Sequence, residues 1–173
     1  YTKGSGRRTI EVALERIEAV GERAGRVVDA VRGAFRSERA DLEALDVNAA
    51  LREAVARCRP EAELARVVIQ LDLAPDLPPI LIDPLRLQLA LVNLMRNAVE
   101  AMAGVASRPR VLTLTTAREG EMVVLSVRDT GVGLPPGREA EIFATFFTTK
   151  PEGMGVGLMF CRTIVETAGG RIE

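Results

Sequence analysis

Histidine and tryptophan are absent from this chain of 173 residues, and tyrosine occurs once. Aromatic residues make up 3% against an apolar content of 47%, so the core must be built mostly from Leu, Val, Ile and Ala. Lysine is nearly absent as well. It stands only at positions 3 and 150, the other basic residues being arginine. No run of about 18 apolar residues occurs, so nothing here is expected to span or contact a membrane. The N-terminus does not read as a signal peptide. A net charge of −1 gives no bulk drive toward nucleic acid or an anionic bilayer. Cys58 and Cys161 are far apart and in no metal-binding spacing. They read as buried, reduced thiols of a cytoplasmic protein, which leaves room for a membrane anchor elsewhere in a longer parent.

Two common phosphate-binding signatures are also missing. There is no Gly-x-x-x-x-Gly-Lys-Ser/Thr, which excludes a Walker-type site. There is no Gly-x-Gly-x-x-Gly after a first strand, which excludes the dinucleotide fold. Glycine is nevertheless concentrated in two boxes, Asp129-Thr-Gly-Val-Gly133 and Gly153-Met-Gly-Val-Gly-Leu158. Asp129 follows the apolar run Met122 to Val127, and an ionised carboxylate only accepts hydrogen bonds, which suits an exocyclic amine such as that of adenine. Glycines after it let backbone approach a ligand closely. Gly155 and Gly157 open a helix whose N–H groups and dipole can face phosphates.

A length of 173 residues fits one ordinary domain, or a small domain with a helical extension. Residues 9 to 40 read as the extension. Ile10, Leu14, Ile17, Gly21, Ala24, Val28, Val31 and Phe35 alternate steps of four and three. That seam belongs to a helix packed in a bundle or coiled coil. A polar hinge is expected from Ser37 to Asp46. A second helix then starts with Asn48 as its cap and closes at Pro60. Val67 to Leu73 reads as a strand, followed by a stiff connection through Pro75, Pro78 and Pro79.

Asp83-Pro84 is a strong helix start, and the helix runs to about Met102. Its apolar face is expected at Leu85, Leu89, Val92, Met95 or Leu94, and Val99. Asn93, Asn97 and Glu100 share one polar stripe. Strands follow at Val111 to Thr115 and Met122 to Arg128, turning near Glu119-Gly120. Residues 134 to 152 form a loop long enough to act as a lid. A last helix is expected from Gly157 to Ala168, ending at Gly169-Gly170. The fold class is therefore α/β. Residues 1–40 form a helical unit and 41–173 form the domain that carries both glycine boxes.

Four runs in this order resemble the ATP-binding domain of two-component sensor histidine kinases, within the wider family of gyrase, Hsp90 and MutL. They are Leu91-Val-Asn-Leu-Met-Arg-Asn-Ala-Val-Glu-Ala-Met102, Asp129-Thr-Gly-Val-Gly133, Phe143-Ala-Thr-Phe-Phe-Thr-Thr-Lys150 and Gly153-Met-Gly-Val-Gly-Leu158. The wording is most similar to the FixL and NtrB branch, and the resemblance covers most of residues 9 to 173. It implies a two-layer α/β sandwich of the Bergerat type, with helices on one face of a mixed sheet. It implies ATP and Mg²⁺ as cofactors and a homodimer built on the 1–40 unit. A histidine-bearing dimerisation helix and the receiver domain of a response regulator are the implied partners.

By the same resemblance, Asn97 holds Mg²⁺ on the triphosphate. Its side-chain carbonyl is a hard, neutral oxygen that suits a cation keeping waters and phosphates as its other ligands. Asp129 reads adenine, and Leu134 and Leu158 flank the base. Gly131, Gly133, Gly153, Gly155, Val156 and Gly157 contact the nucleotide. Lys150 clamps phosphate from the lid, and Phe143, Phe146 and Phe147 anchor the lid or a partner helix. Asn93 belongs to the nucleotide-binding set as well; it stands where gyrase-like relatives carry the Glu that activates water, and an amide cannot take that proton. Glu100 stands where many histidine kinases carry a cation.

The missing histidine now has a specific meaning: the phosphoryl acceptor is not in this chain. Tyr1 to Ser5 resembles the tail of the helix that would carry it. The family's closing β-hairpin is expected to begin about where the chain stops, at Arg171-Ile-Glu173. Two rival functions remain at this stage. One is a hydrolytic ATPase of the gyrase type, which Asn93 opposes. The other is a dimerisation module with weak nucleotide binding.

Overall fold

A computed structural model describes residues 42–134, 137–138, 141–143 and 155–173, all within the unit Arg39–Glu173. The helical seam of residues 9 to 40, Lys150, Gly153, Phe146 and Phe147 lie outside the described residues. The described elements run β1 (Glu43–Leu45), α1 (Val47–Leu64), β2 (Val68–Leu73), β3 (Ile80–Ile82), α2 (Pro84–Met102), β4 (Val111–Glu119), β5 (Met122–Asp129) and α3 (Gly157–Thr167).

Strands β2, β4 and β5 form one mixed sheet in that order. β2 pairs parallel to β4 with Val68 opposite Val111, and β4 pairs antiparallel to β5 with Leu112 opposite Asp129. The β4–β5 hairpin turns through Gly120-Glu121, with Glu119 opposite Met122 and Gly120 at φ 62. Leu112, Leu114 and Thr116 alternate as the buried residues of β4. This is the period-two pattern of a sheet with one face covered. The helices cover that face, and the core joins Leu51 and Cys58 of α1, Met95 and Met102 of α2 and Cys161 of α3 to Leu112 and Leu114. The expected α/β sandwich with a mixed sheet is what forms.

Several local expectations are corrected. Asp46, not Asn48, caps α1, its carboxylate accepting from the N–H groups of Asn48 and Ala49. Asn48 is buried two residues past the cap, where Nδ2 donates to the Ala74 carbonyl at 2.8 Å and Oδ1 accepts from Thr116 Oγ1 at 2.8 Å. It ties the first turn of α1 to Thr116 of β4 and to Ala74, which follows β2.

Pro60 does not close α1, which continues to Leu64. The ring removes one N–H donor, but Ala62 beyond it is fully enclosed in the core. The turn at Ala65 and Arg66, the latter at φ 55, supplies the actual stop. The polar hinge contains a strand, β1, and the proline connection delivers another, β3. The two pair antiparallel, Ala44 opposite Leu81, as a separate ribbon.

The apolar face of α2 is broader than expected and differs at its first residue. Met95 and Val99 are buried as expected and Leu89, Val92 and Leu94 pack partly buried against the core, but Leu85 is 56% exposed, and Leu87, Leu91, Ala98 and Met102 are buried as well. The helix is covered by α1 on one flank and α3 on the other, so its buried arc is wide and includes Gln88, whose Nε2 donates to the Ala50 carbonyl at 2.8 Å. The start of α2 is as expected: Asp83 accepts from Arg86 N at 3.1 Å and Pro84 fills the first helical position.

Candidate nucleotide site

Helix α2 organises the site. Asn93, Asn97 and Ala101 are spaced four residues apart and so lie on one face, about 12 Å from first to last along the axis. Each end of this stripe meets one of the two glycine boxes.

At the C-terminal end the stripe meets the turn after β5. Asp129 is the last residue of β5 and half-buried. Its Oδ1 accepts from Gly131 N at 2.7 Å, closing an Asx turn. Val132 N donates to the Ala101 carbonyl at 3.2 Å. A Cβ on Gly131 would lie 2.6 Å from Asp129 Oδ1 and 2.8 Å from both the Cβ and the carbonyl oxygen of Ala101. Glycine is thus required here by contact with α2. Thr130 is tied in from the other side, its hydroxyl accepting from Val111 N at 2.9 Å and donating to the Pro109 carbonyl at 2.8 Å.

Arg108 completes the turn. Its Nε donates to the Thr130 carbonyl at 2.8 Å, and its Nη2 donates to the Gly131 carbonyl. One guanidinium, with donors in a fixed fork, therefore holds two consecutive carbonyls of the first glycine box. Sequence reasoning passed over Arg108. The only available signal was an arginine between two helix-breaking segments, indistinguishable from a solvated loop residue.

At the N-terminal end the stripe meets the second box. A Cβ on Gly157 would lie 2.7 Å from Asn93 Oδ1, 2.8 Å from Nδ2 and 3.2 Å from Cγ. Asn93 Nδ2 donates to Cys161 Sγ at 3.3 Å. The carboxamide thus rests along the Gly157–Cys161 face of α3. Burial pushes the Cys161 thiol up to about 11, and Asn93 moderates that rise. The N-cap of α3, Val156, makes no side-chain cap hydrogen bond. The first amides of α3 are therefore not served by a capping side chain, the arrangement that leaves a helix N-terminus suited to an anion.

The remaining expected residues fall around these two junctions. Gly133 and Gly155 adopt φ 74 and φ 65, conformations that a side chain rarely takes. Leu134 is 49% exposed beyond the first box, and Leu158 is half-buried at the start of α3. Asn97 is half-buried midway along the stripe, and Glu100 is exposed. Asp129, Gly131, Asn97, Asn93 and Gly157 are thus gathered on one edge of α2. Among the described residues, no cluster of three or more His, Cys, Asp or Glu could cage a metal. A cation here would depend on one neutral protein oxygen together with a ligand's own phosphates and water, which is how Mg²⁺ is commonly held.

Residues 82–173 match the family model described as histidine kinase-, DNA gyrase B-, and HSP90-like ATPase. The chain is 37% identical over 161 residues to the C4-dicarboxylate transport sensor protein DctS of Rhodobacter capsulatus, covering 93% of this chain and 24% of that protein. It is 36% identical over 163 residues to the sensor protein FixL of Bradyrhizobium diazoefficiens, covering 94% and 32%. The chain thus spans a quarter to a third of these relatives. Among solved structures it is similar to the catalytic domain of histidine kinase ThkA, with a TM-score of 0.65 and 26% identity over 74% of this chain and 82% of that one. The fold also matches ThkA solved in complex with response regulator protein TrrA, at a TM-score of 0.71 and 19% identity over 98% and 47%.

Proposed function

The chain belongs to the histidine kinase-, DNA gyrase B-, and HSP90-like ATPase family, and from that premise we propose that it is the ATP-binding catalytic domain of a sensor histidine kinase. In this reading it directs the γ-phosphoryl group of ATP to a histidine on a dimerisation helix, for relay to an aspartate of a response regulator. The observation that carries the proposal is the α2 stripe, with the Asp129–Gly131 turn at one end and Gly157 at the other.

Asp129 has Oδ1 engaged with Gly131 N, and Oδ2 accepts from the adenine amine. Asn97 is the protein ligand of Mg²⁺, which when bound neutralises charge on the phosphates. The first amides of α3 face the triphosphate, and Lys150, outside the described residues, is assigned the role of phosphate clamp. Asn93 separates this site from a hydrolase, since an amide cannot deprotonate water.

The partners follow from the same reading. They are ATP, a histidine-bearing helix pair in cis or trans, the receiver domain of a response regulator, ThkA having been solved in complex with response regulator protein TrrA, and a second copy joined through residues 9 to 40. The site faces the cytoplasm in this account; among the described residues, no helix is long and apolar enough to cross a membrane.

Titrating Mg-ATP and Mg-GTP against the chain by calorimetry tests the binding. Supplying γ-labelled ATP together with a separate histidine-bearing helix pair tests the transfer. The expected product is acid-labile, alkali-stable label on the added helices and none on this chain, which contains no histidine. Failure to bind Mg-ATP, or equal affinity for Mg-GTP, overturns the proposal.

A further inference from the structure

We propose that Cys161 is a positioning residue for the nucleotide helix: its thiol fixes the orientation of the Asn93 carboxamide that lies against Gly157. The inference rests on the nucleotide-binding reading and assigns a task to a residue that touches no ligand in that reading.

Cys161 is fully buried, and Sγ donates to the Ala90 carbonyl at 3.6 Å. A thiol has one proton. With that proton directed at Ala90, the sulfur can only accept from its other neighbour. Asn93 offers an NH₂ group and a carbonyl oxygen, and only the NH₂ group can meet an accepting sulfur. The observed bond is the one required, Nδ2 to Sγ at 3.3 Å. Rotating the carboxamide by half a turn would set its oxygen against the sulfur with no proton between them. The carbonyl end is therefore held as an acceptor on the side away from Cys161. The proton chain runs in one direction, from Asn93 through Cys161 to Ala90, and so links α2 to α3 and back to α2.

Gly157 makes the orientation consequential. Gly157 and Cys161 are four residues apart on one face of α3, and the carboxamide lies along that face within the reach of a Cβ at Gly157. Whatever fixes the carboxamide also fixes how closely the first turn of α3 approaches α2. Cys58 supplies a matched comparison. It is also a buried thiol next to α2, but its Sγ lies 4.0 Å from the Val92 carbonyl and makes no bond to Asn93.

The test is a Mg-ATP titration of wild type, Cys161→Ala, Cys161→Ser, Cys58→Ala, Asn93→Ala and the Asn93→Ala/Cys161→Ala pair. Cys161→Ala is expected to weaken Mg-ATP about threefold to tenfold, the scale of one net hydrogen bond. Cys161→Ser, which keeps one donor and an acceptor, should stay within about twofold of wild type. Cys58→Ala should lower thermal stability without moving the affinity. Once Asn93 is alanine, removing the Cys161 thiol should cost nothing further.

Wild-type affinity in Cys161→Ala, an equal loss in Cys58→Ala, or additive losses in the pair would each overturn the assignment. The Asn93 side-chain amide resonances give a second readout that needs no nucleotide. They should show a through-space contact to the Cys161 β-protons in wild type, and its absence overturns the proposal. Should wild type not bind Mg-ATP at all, the functional reading fails by that result, and these resonances decide the orientation by themselves.

Discussion

Replacing Gly131 with alanine would place a Cβ 2.6 Å from Asp129 Oδ1 and 2.8 Å from both the Cβ and the carbonyl oxygen of Ala101. The backbone at Gly131 is not in the left-handed region, so the cost comes from contact rather than from conformation. Two of the three crowded atoms belong to a helix residue that cannot swing away. The carboxylate can, but only by breaking its 2.7 Å bond to Gly131 N. Overpacking costs about 1–3 kcal/mol, and a lost hydrogen bond to a charged group about 1.5–3 kcal/mol. Partial relief of one by the other leaves about 3 kcal/mol, or a melting temperature lower by roughly 10 °C for a unit of this size. Urea unfolding of Gly131→Ala measures it. Gly104→Ala is the control, since its Cβ would meet nothing within 4 Å, and it should be neutral or stabilise by up to about 1 kcal/mol. Adding Ala101→Gly should not restore Gly131→Ala, because the Asp129 and carbonyl contacts remain. A Gly131→Ala protein within about 0.5 kcal/mol of wild type would refute the account of this turn. A destabilised protein that still binds Mg-ATP normally would instead remove Asp129 from the adenine site.

Further outcomes can be checked on the same protein. Asn97→Ala should weaken Mg-ATP at least tenfold, a loss of about 1.4 kcal/mol, while leaving metal-free ATP within about twofold; equal losses with and without Mg²⁺ would refute the ligand role. Asp129→Asn should narrow the gap between ATP and GTP affinity, since an amide offers one acceptor and adds two donors; calorimetry with both nucleotides decides it. Cys161 carries a raised pKa, from 9.0 up to about 11, so the folded state holds its proton longer than the unfolded state does. Its contribution to stability is complete below pH 9 and declines as pH rises toward 11, by about 2–3 kcal/mol in all. Cys161→Ser, which has no thiol to titrate, should flatten that part of the alkaline stability curve; an unchanged slope would refute the assignment.

The elements most legible in the sequence were those whose chemistry is local. Asp83-Pro84 marked the start of α2, because an N-cap oxygen and a preset φ act within one turn. The β4–β5 hairpin was visible as two strand-like runs joined at a glycine turn. Asn48 shows why other features were hidden. Its partners, Ala74 and Thr116, are distant in sequence, and only the tertiary fold brings them together. The ribbon of β1 and β3 was obscured for the same reason, since three-residue strands carry no period of their own. The full width of the buried arc of α2, with Leu87, Gln88 and Leu91, was hidden because the helix is enclosed from two sides, a circumstance that no single-helix pattern contains. Within the site, the Asn stripe and both glycine boxes were readable as motifs, whereas Arg108 and Cys161 act through contacts that the motifs do not mention.

The parallel pairing of β2 with β4 has a consequence for how the site comes into being. Parallel neighbours cannot be joined by a tight turn, and the chain between them here includes all of α2. Zippering Val68 to Val111 therefore closes a long loop with the stripe helix inside it. Such non-local closure is slow and entropically costly, and its reward arrives only when the segment within the loop has docked. Asn93, Asn97 and Ala101 are thus delivered to their stations in the same cooperative step that completes the sheet. Denatured chains should hold no residual nucleotide affinity, and saturating Mg-ATP should slow unfolding of the whole sheet rather than of a local lobe.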